Sequence, residues 1–206
     1  MRNQVNTFPM SRERPHLVVL AGPNGAGKST AAPDLLKGAL GVDEFVNADL
    51  IAQGLSGFQP ENTAIEAGRI LLRRLRRLTA QGVNVAFEST LASRSLAPWI
   101  RNLLRSGYAV HLWFLWLPTA EMAVARVQDR VRMGGHPVPE ETIRRRYGAG
   151  LKNFFSLYRP LATTWRFYDN SEWPEPRLIA SGTGNTTEIV LDSAAWDTIE
   201  VGWRNA

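Results

Sequence analysis

Cysteine is absent from the 206 residues, which excludes disulfides and thiolate metal sites. Histidine occurs only at His16, His111 and His136, too few and too scattered for a histidine zinc cluster. Lysine is equally scarce, at Lys28, Lys37 and Lys152, so arginine carries the formal net charge of +5. Arginine forks suit polyanionic ligands, a class that includes nucleotides and nucleic acids alike. Long apolar runs are missing too. The longest, Val110 to Leu117 around His111, is too short to cross a bilayer, so no membrane partner is expected. The first ten residues lack a signal-peptide core, and the cytoplasm is the expected location. At 44% hydrophobic content the chain can bury one substantial core, and its length suits one α/β domain better than two.

What the sequence does contain is Gly22-Pro23-Asn24-Gly25-Ala26-Gly27-Lys28-Ser29, followed by Thr30, which fills G-x-x-x-x-G-K-[ST] completely. Upstream, Leu17 to Leu20 reads as a buried strand. Downstream, Ser29 to Leu40 reads as a helix, with Pro33 expected to kink it or tighten its first turn. The glycines let backbone N–H groups fold into an anion-binding nest, and the helix N-terminus adds its positive end. Lys28 would reach the β- and γ-phosphates of a nucleotide, and the Ser29 hydroxyl would take a Mg²⁺ position.

Met1 to Pro15 is polar and aperiodic, a flexible arm ahead of a single domain over 16–206. Strands are expected at His16–Ala21, Glu44–Asn47, Val83–Phe87, Tyr108–Leu117, Trp165–Asn170 and Arg177–Ser181, with a further strand at Glu188–Leu191 and a short helix near Trp196. Ile65, Gly68, Leu71, Leu72, Leu75 and Leu78 recur at three-and-four spacing and predict a helix over Glu61–Ala80. Its other face carries Arg69, Arg73, Arg74, Arg76 and Arg77. It reads as a solvated face, because no aromatic residue is interleaved there for stacking, and nucleic acid is not the expected partner. Helices are also expected over Ser93–Ser106, from Thr119 to about Met133, and from Pro139 onward. Between the last two, Gly134 to Pro139 is too rich in Gly and Pro for regular structure, which sets a lid around 126–140. The alternation predicts an α/β fold with a mostly parallel central sheet, right-handed crossovers and helices on both faces. In such sheets ligands bind beyond the carboxyl ends of the strands.

That rule draws attention to the polar residues after strands. Asp49 is placed to orient an acceptor hydroxyl and take its proton; the alternative is an N-cap for a helix starting at Leu50. Glu88 would hold acceptor hydroxyls, reach Mg²⁺ through water, or pair with an arginine, and Thr90 would bond the same ligand. Arg126 and Arg130 lie four apart on one helix face, suited to close over phosphates, whereas Arg132 reads as solvated. His136 is a possible phosphate contact. Arg144, Arg145 and Arg146 span nearly the whole circumference of their helix, so at most two of them face the site.

These residues resemble the zeta-toxin family, and more closely its stand-alone bacterial branch. The resemblance covers about His16 to Ser171. It rests on the Gly22–Thr30 loop, Asn47-Ala48-Asp49, Glu88-Ser89-Thr90, Arg130, the Gly134–Pro139 string and Phe167-Tyr168-Asp169-Asn170-Ser171. The resemblance implies a P-loop kinase-type three-layer sandwich and an ATP- and Mg²⁺-dependent kinase acting on the 3′-hydroxyl of the amino sugar of UDP-N-acetylglucosamine. Lys28 and Ser29 match the phosphate and metal positions, Asp49 the general base, Asn47, Glu88 and Thr90 the acceptor side, and Arg130 the first lid arginine. The resemblance also implies a separately encoded antitoxin as partner, and Asn170 near the nucleotide base. Two positions depart from the family. Its arginine after the Glu-x-Thr motif is replaced by Ala92, with Arg94 displaced by two, and its second lid arginine corresponds to His136. A nucleotide-sugar or other small hydroxyl acceptor is therefore expected. A polynucleotide or nucleoside kinase and a nucleotide-binding regulator without transfer activity are the alternatives.

Overall fold

A computed structural model describes residues 14–37, 42, 44–56, 63–172 and 175–204. Its centre is a seven-stranded sheet: β1 (His16–Ala21), β2 (Glu44–Val46), β3 (Val85–Ser89), β4 (Ala109–Trp116), β5 (Thr164–Asp169), β6 (Arg177–Thr183) and β7 (Thr186–Val190). The spatial order is β2-β3-β1-β4-β5-β6-β7. The first five strands are parallel and the last two antiparallel. β1 and β4 are buried along their whole length because both sheet faces are covered. Alternation splits them: Leu17, Val19, Val110, Leu112 and Phe114 enter one core, while Val18, Leu20, Trp113 and Leu115 enter the other.

The helices are α1 (Lys28–Lys37), α2 (Ala48–Leu55), α3 (Ala64–Ala80), α4 (Leu96–Arg105), α5 (Ala120–Arg132), α6 (Glu140–Asn153) and α7 (Ser193–Arg204). Several differ from the sequence expectation at their ends. α1 begins at Lys28, and the expected residues 38–40 lie outside the described residues, as do 1–13 and the first turn expected at 61–62. Pro33 does sit inside α1. α4 starts at Leu96, since Ser93 to Ser95 form a loop closed by Ser93 Oγ accepting from Ser95 N at 3.2 Å. The stretch near Trp196 forms a full helix of 12 residues, longer than expected.

α6 starts against one core through Ile143 and Tyr147 and ends against the other through Leu151. It continues into a π-helical turn, Phe154–Tyr158. There Phe154 packs against Phe114, Phe155, Trp165 and Phe167 with ring centroids 5.0 to 6.1 Å apart. Among the described residues no helix is long and apolar enough to cross a membrane.

Candidate nucleotide and acceptor site

Because β1 to β5 are parallel, their carboxyl ends lie on one edge, and the chain there carries the phosphate loop, Asn47, Glu88, Leu117 and Asn170. The loop needs its glycines. Gly22, Gly25 and Gly27 have φ of 140°, 78° and 76°, which L side chains rarely adopt. A Cβ on Gly22 would meet the Leu115 carbonyl at 2.2 Å, and one on Gly27 would meet Asn170 Nδ2 at 2.7 Å. The loop is tied to its neighbours by Gly22 N donating to Ser89 O at 3.2 Å and Asn170 Nδ2 donating to Ala26 O at 2.7 Å.

The Lys28 ammonium donates to the carbonyls of Gly22 and Pro23 at 2.9 and 2.8 Å. Burial lowers its pKa. The carboxylates of Glu88 and Asp49 oppose that shift, and Arg130 and Arg146 reinforce it. Glu88 is shifted the other way: burial raises it, against Lys28 and hydrogen bonds from Ser29 and Asn47. Four charged side chains therefore act on one buried ammonium, a cluster that marks a candidate functional site.

Asn47 ties the end of β2 to β3. Its Oδ1 accepts from Asp49 N at 2.7 Å and Leu50 N at 3.3 Å, so Asn47 is the N-cap of α2, and the alternative of Asp49 as the cap is corrected. Its Nδ2 donates to Glu88 Oε1 at 3.0 Å and lies 3.5 Å from Ser29 Oγ. Freed of capping, Asp49 stands exposed in the first turn of α2, within electrostatic reach of Lys28, Glu88 and Arg146. Thr90 follows β3, where Leu91 is the one non-glycine with positive φ (54°) among the described residues. That strained turn is held from α6: Asn153 Nδ2 donates to Leu91 O at 2.8 Å and Ala92 O at 3.2 Å. Gly150 lies so close that a Cβ would be 2.3 Å from Thr90 O. The Tyr158 hydroxyl donates to Ser93 O.

The lid arginines divide. Arg126 donates to Asn170 O and Ser171 O, both at 2.7 Å, and so fixes the turn after β5 beside the phosphate loop. Arg130 donates through Nη2 to His136 O at 2.7 Å, while its Nε is buried without an acceptor. His136 thus meets Arg130 through its backbone. Arg94 does not join the cluster; it is exposed ahead of α4, and its charge acts on Tyr158. Arg132 pairs with Asp129 at 2.8 Å on the surface, as expected of a solvated residue.

Arg146 was not singled out from the sequence. It lies half-buried 3.5 Å from Asn24 Oδ1, and burial lowers its pKa, with Arg145 reinforcing and Asp49 opposing. The signal was available: Arg146 is three residues after buried Ile143 and four before Gly150, hence on the inward stripe of α6. Arg144, by contrast, is held outside by Glu121 at 2.6 Å and Glu140 at 2.8 Å.

The donor set suits a phosphate-bound Mg²⁺. The Ser29 hydroxyl and the Glu88 carboxylate are hard oxygen donors that already interact. No group of three or more His, Asp or Glu side chains among the described residues forms a cage of its own. The unfilled Arg130 Nε and the Cβ-free cradle fit anionic phosphate oxygens.

Known proteins share parts of this sequence and its fold. An uncharacterized protein of Haemophilus influenzae is 28% identical over 130 residues, spanning 63% of this chain and 91% of that protein. The crystal structure of AvrRxo1-ORF1:AvrRxo1-ORF2 with sulphate ions shares the fold at a TM-score of 0.69 and 20% identity, over 90% of this chain; the chain spans 63% of that structure's chain. The PezAT chromosomal toxin-antitoxin system of Streptococcus pneumoniae gives a TM-score of 0.64 at 16% identity, over 95% of this chain and 88% of that one. The fold is therefore a P-loop kinase-like α/β sandwich shared with these structures, with the antiparallel β6–β7 pair at one edge. Residues 17–147 match the family described as "AAA domain", most of the chain and all of the phosphate-loop, Asn47, Glu88 and lid positions, and the protein belongs to that family.

Proposed function

We propose that the protein is an ATP-dependent phosphotransferase acting on a hydroxyl of a small-molecule acceptor, a UDP-amino-sugar such as UDP-N-acetylglucosamine. The observation that carries this reading is the exposed Asp49, two residues after the Asn47 that links Ser29 and Glu88 and within electrostatic reach of the buried Lys28. The acceptor oxygen attacks the γ-phosphorus, the bond to the ADP oxygen breaks, and the acceptor proton passes to Asp49. Lys28 and the loop N–H groups hold the β- and γ-phosphates, and Arg130 and Arg146 neutralise charge on the transferring group. Ser29, with Glu88 through water, would hold Mg²⁺, whose charge would offset that of the phosphates. Asn170, positioned by Arg126, borders the base side. Glu88 and Thr90 orient the acceptor. A separately encoded antitoxin is the proposed protein partner, supported by the resemblance to zeta toxins.

The test is ATP turnover with Mg²⁺ across UDP-sugars, nucleosides and 5′-hydroxyl oligonucleotides, with mass detection of the product. A phosphorylated UDP-sugar that vanishes in Asp49→Asn supports the reading. Equal product from Asp49→Asn removes Asp49 as the base, and product only from another acceptor class overturns the substrate assignment.

A further inference from the structure

The outward faces of α3 and α4 carry Arg69, Arg73, Arg76, Arg77, Arg101 and Arg105, all exposed. The only acid on either helix is Glu66. With Arg74 the two helices carry seven arginines against that one acid, a surplus of six. Elsewhere the arginines find carboxylates: Arg74 pairs with Glu44 at 2.9 Å, Arg144 with Glu121 at 2.6 Å, and Arg177 with Asp192 at 2.7 Å. None of the six on the α3–α4 face is in an ion pair among the described residues. Six exposed guanidinium groups without a carboxylate partner, on two helices that flank one cavity, make a positive field.

The aromatic residue that α3 lacks is supplied by α4. A cavity of about 450 Å³ opens between the two helices, lined by Arg76, Trp99, Leu103, Tyr108 and Pro15 among others. The half-buried Trp99 ring is braced edge-on by Phe87, with centroids 6.1 Å apart. The Tyr108 hydroxyl lies 3.1 and 3.0 Å from the carbonyls of Thr79 and Val83, which fixes the cavity wall. Along α3, arginines four apart rise about 6 Å, a repeat that an extended phosphate backbone can follow.

We infer that the α3–α4 face binds single-stranded nucleic acid without sequence preference, its arginines tracking the phosphates and a base entering the cavity beside Trp99. Single-strand binding surfaces join these two features, a cationic track and an aromatic platform. An acidic protein segment would engage the arginines and leave the cavity unused. The inference stands apart from the kinase reading, because the face shares no residue with the phosphate loop.

The experiment measures fluorescence anisotropy of a labelled deoxythymidine oligomer of about 12 nucleotides with the full chain, between about 50 and 200 mM salt. Saturable binding is expected, with affinity falling as roughly the second power of salt or more steeply. Arg73→Glu with Arg76→Glu and Arg101→Glu should weaken it at least about tenfold, the matching glutamine set should weaken it less, and Trp99→Leu should cost about fivefold or more. Circular dichroism of each variant verifies folding, and Lys28→Ala should bind as the parent does. Absence of binding at low salt, unchanged affinity in both arginine sets, or loss only in Lys28→Ala would overturn the inference. Displacement by polyglutamate together with a neutral Trp99→Leu would assign the face to acidic proteins instead.

Discussion

The edge of the sheet opposite the phosphate loop holds a buried histidine pair, and protonation of His111 sets a measurable pH dependence of stability. His16 Nδ1 and His111 Nε2 are 2.9 Å apart, and His111 Nδ1 is 2.8 Å from Thr164 Oγ1. Burial, reinforced by His16, Arg14 and Arg166, pushes His111 from 6.5 down to about 4. The unfolded chain therefore binds the proton more readily, so stability is full above pH 6.5 and is lost as the pH falls toward 4. At about 1.4 kcal/mol per pH unit the whole depression is worth about 3 kcal/mol, of which about 2 kcal/mol is lost between pH 7.5 and 5. Urea unfolding at a series of pH values, on the parent and on His111→Gln, isolates this contribution from the carboxylates, which titrate mostly below pH 5. The parent should lose about 2 kcal/mol more than the variant over that range. Parallel pH profiles would refute the reasoning, as would an NMR titration placing His111 near 6.5.

Other perturbations separate the two halves of the site. Gly150→Ala drives a methyl into the Thr90 carbonyl, so it should cost about 1–3 kcal/mol in thermal unfolding and raise the acceptor KM with ATP affinity retained. Asn47→Ala removes the α2 cap and the Glu88 bond together; about 1–2 kcal/mol lower stability and reduced turnover are expected, and unchanged stability would contradict the capping role. Arg146→Met should lower kcat about a hundredfold, with nucleotide binding, read by displacement of a fluorescent ADP, nearly intact.

The phosphate loop and the parallel strands were legible because backbone demands impose local residue types: glycine at positive φ, continuous apolar runs where both sheet faces are covered. The β6–β7 hairpin was harder, since its signal is only the Gly184-Asn185 turn between short strands, and antiparallel addition at an edge leaves no βαβ rhythm to follow. The role of Asn47 in capping was hidden by Asp49, an equally good capping residue two positions later. Arg126 shows the opposite limit. Its helix face was readable, but whether a guanidinium on that face meets phosphate or the carbonyls of Asn170 and Ser171 depends on contacts 44 and 45 residues away in sequence. Arg146 failed to stand out because three successive arginines blur a helical stripe that only the buried Ile143 and Gly150 define.

α6 also constrains how the chain can vary. One continuous rod presents Arg146 to Asn24, Gly150 to Thr90 and Asn153 to Leu91, so these three contacts share a single rotational phase. Inserting one residue between Arg146 and Gly150 would swing the two ends apart by about 100°. The segment from Met133 to Pro139, outside the rod, is free of that restriction. Length changes in this region should therefore accumulate before Glu140, and between Arg146 and Asn153 the spacing should be invariant.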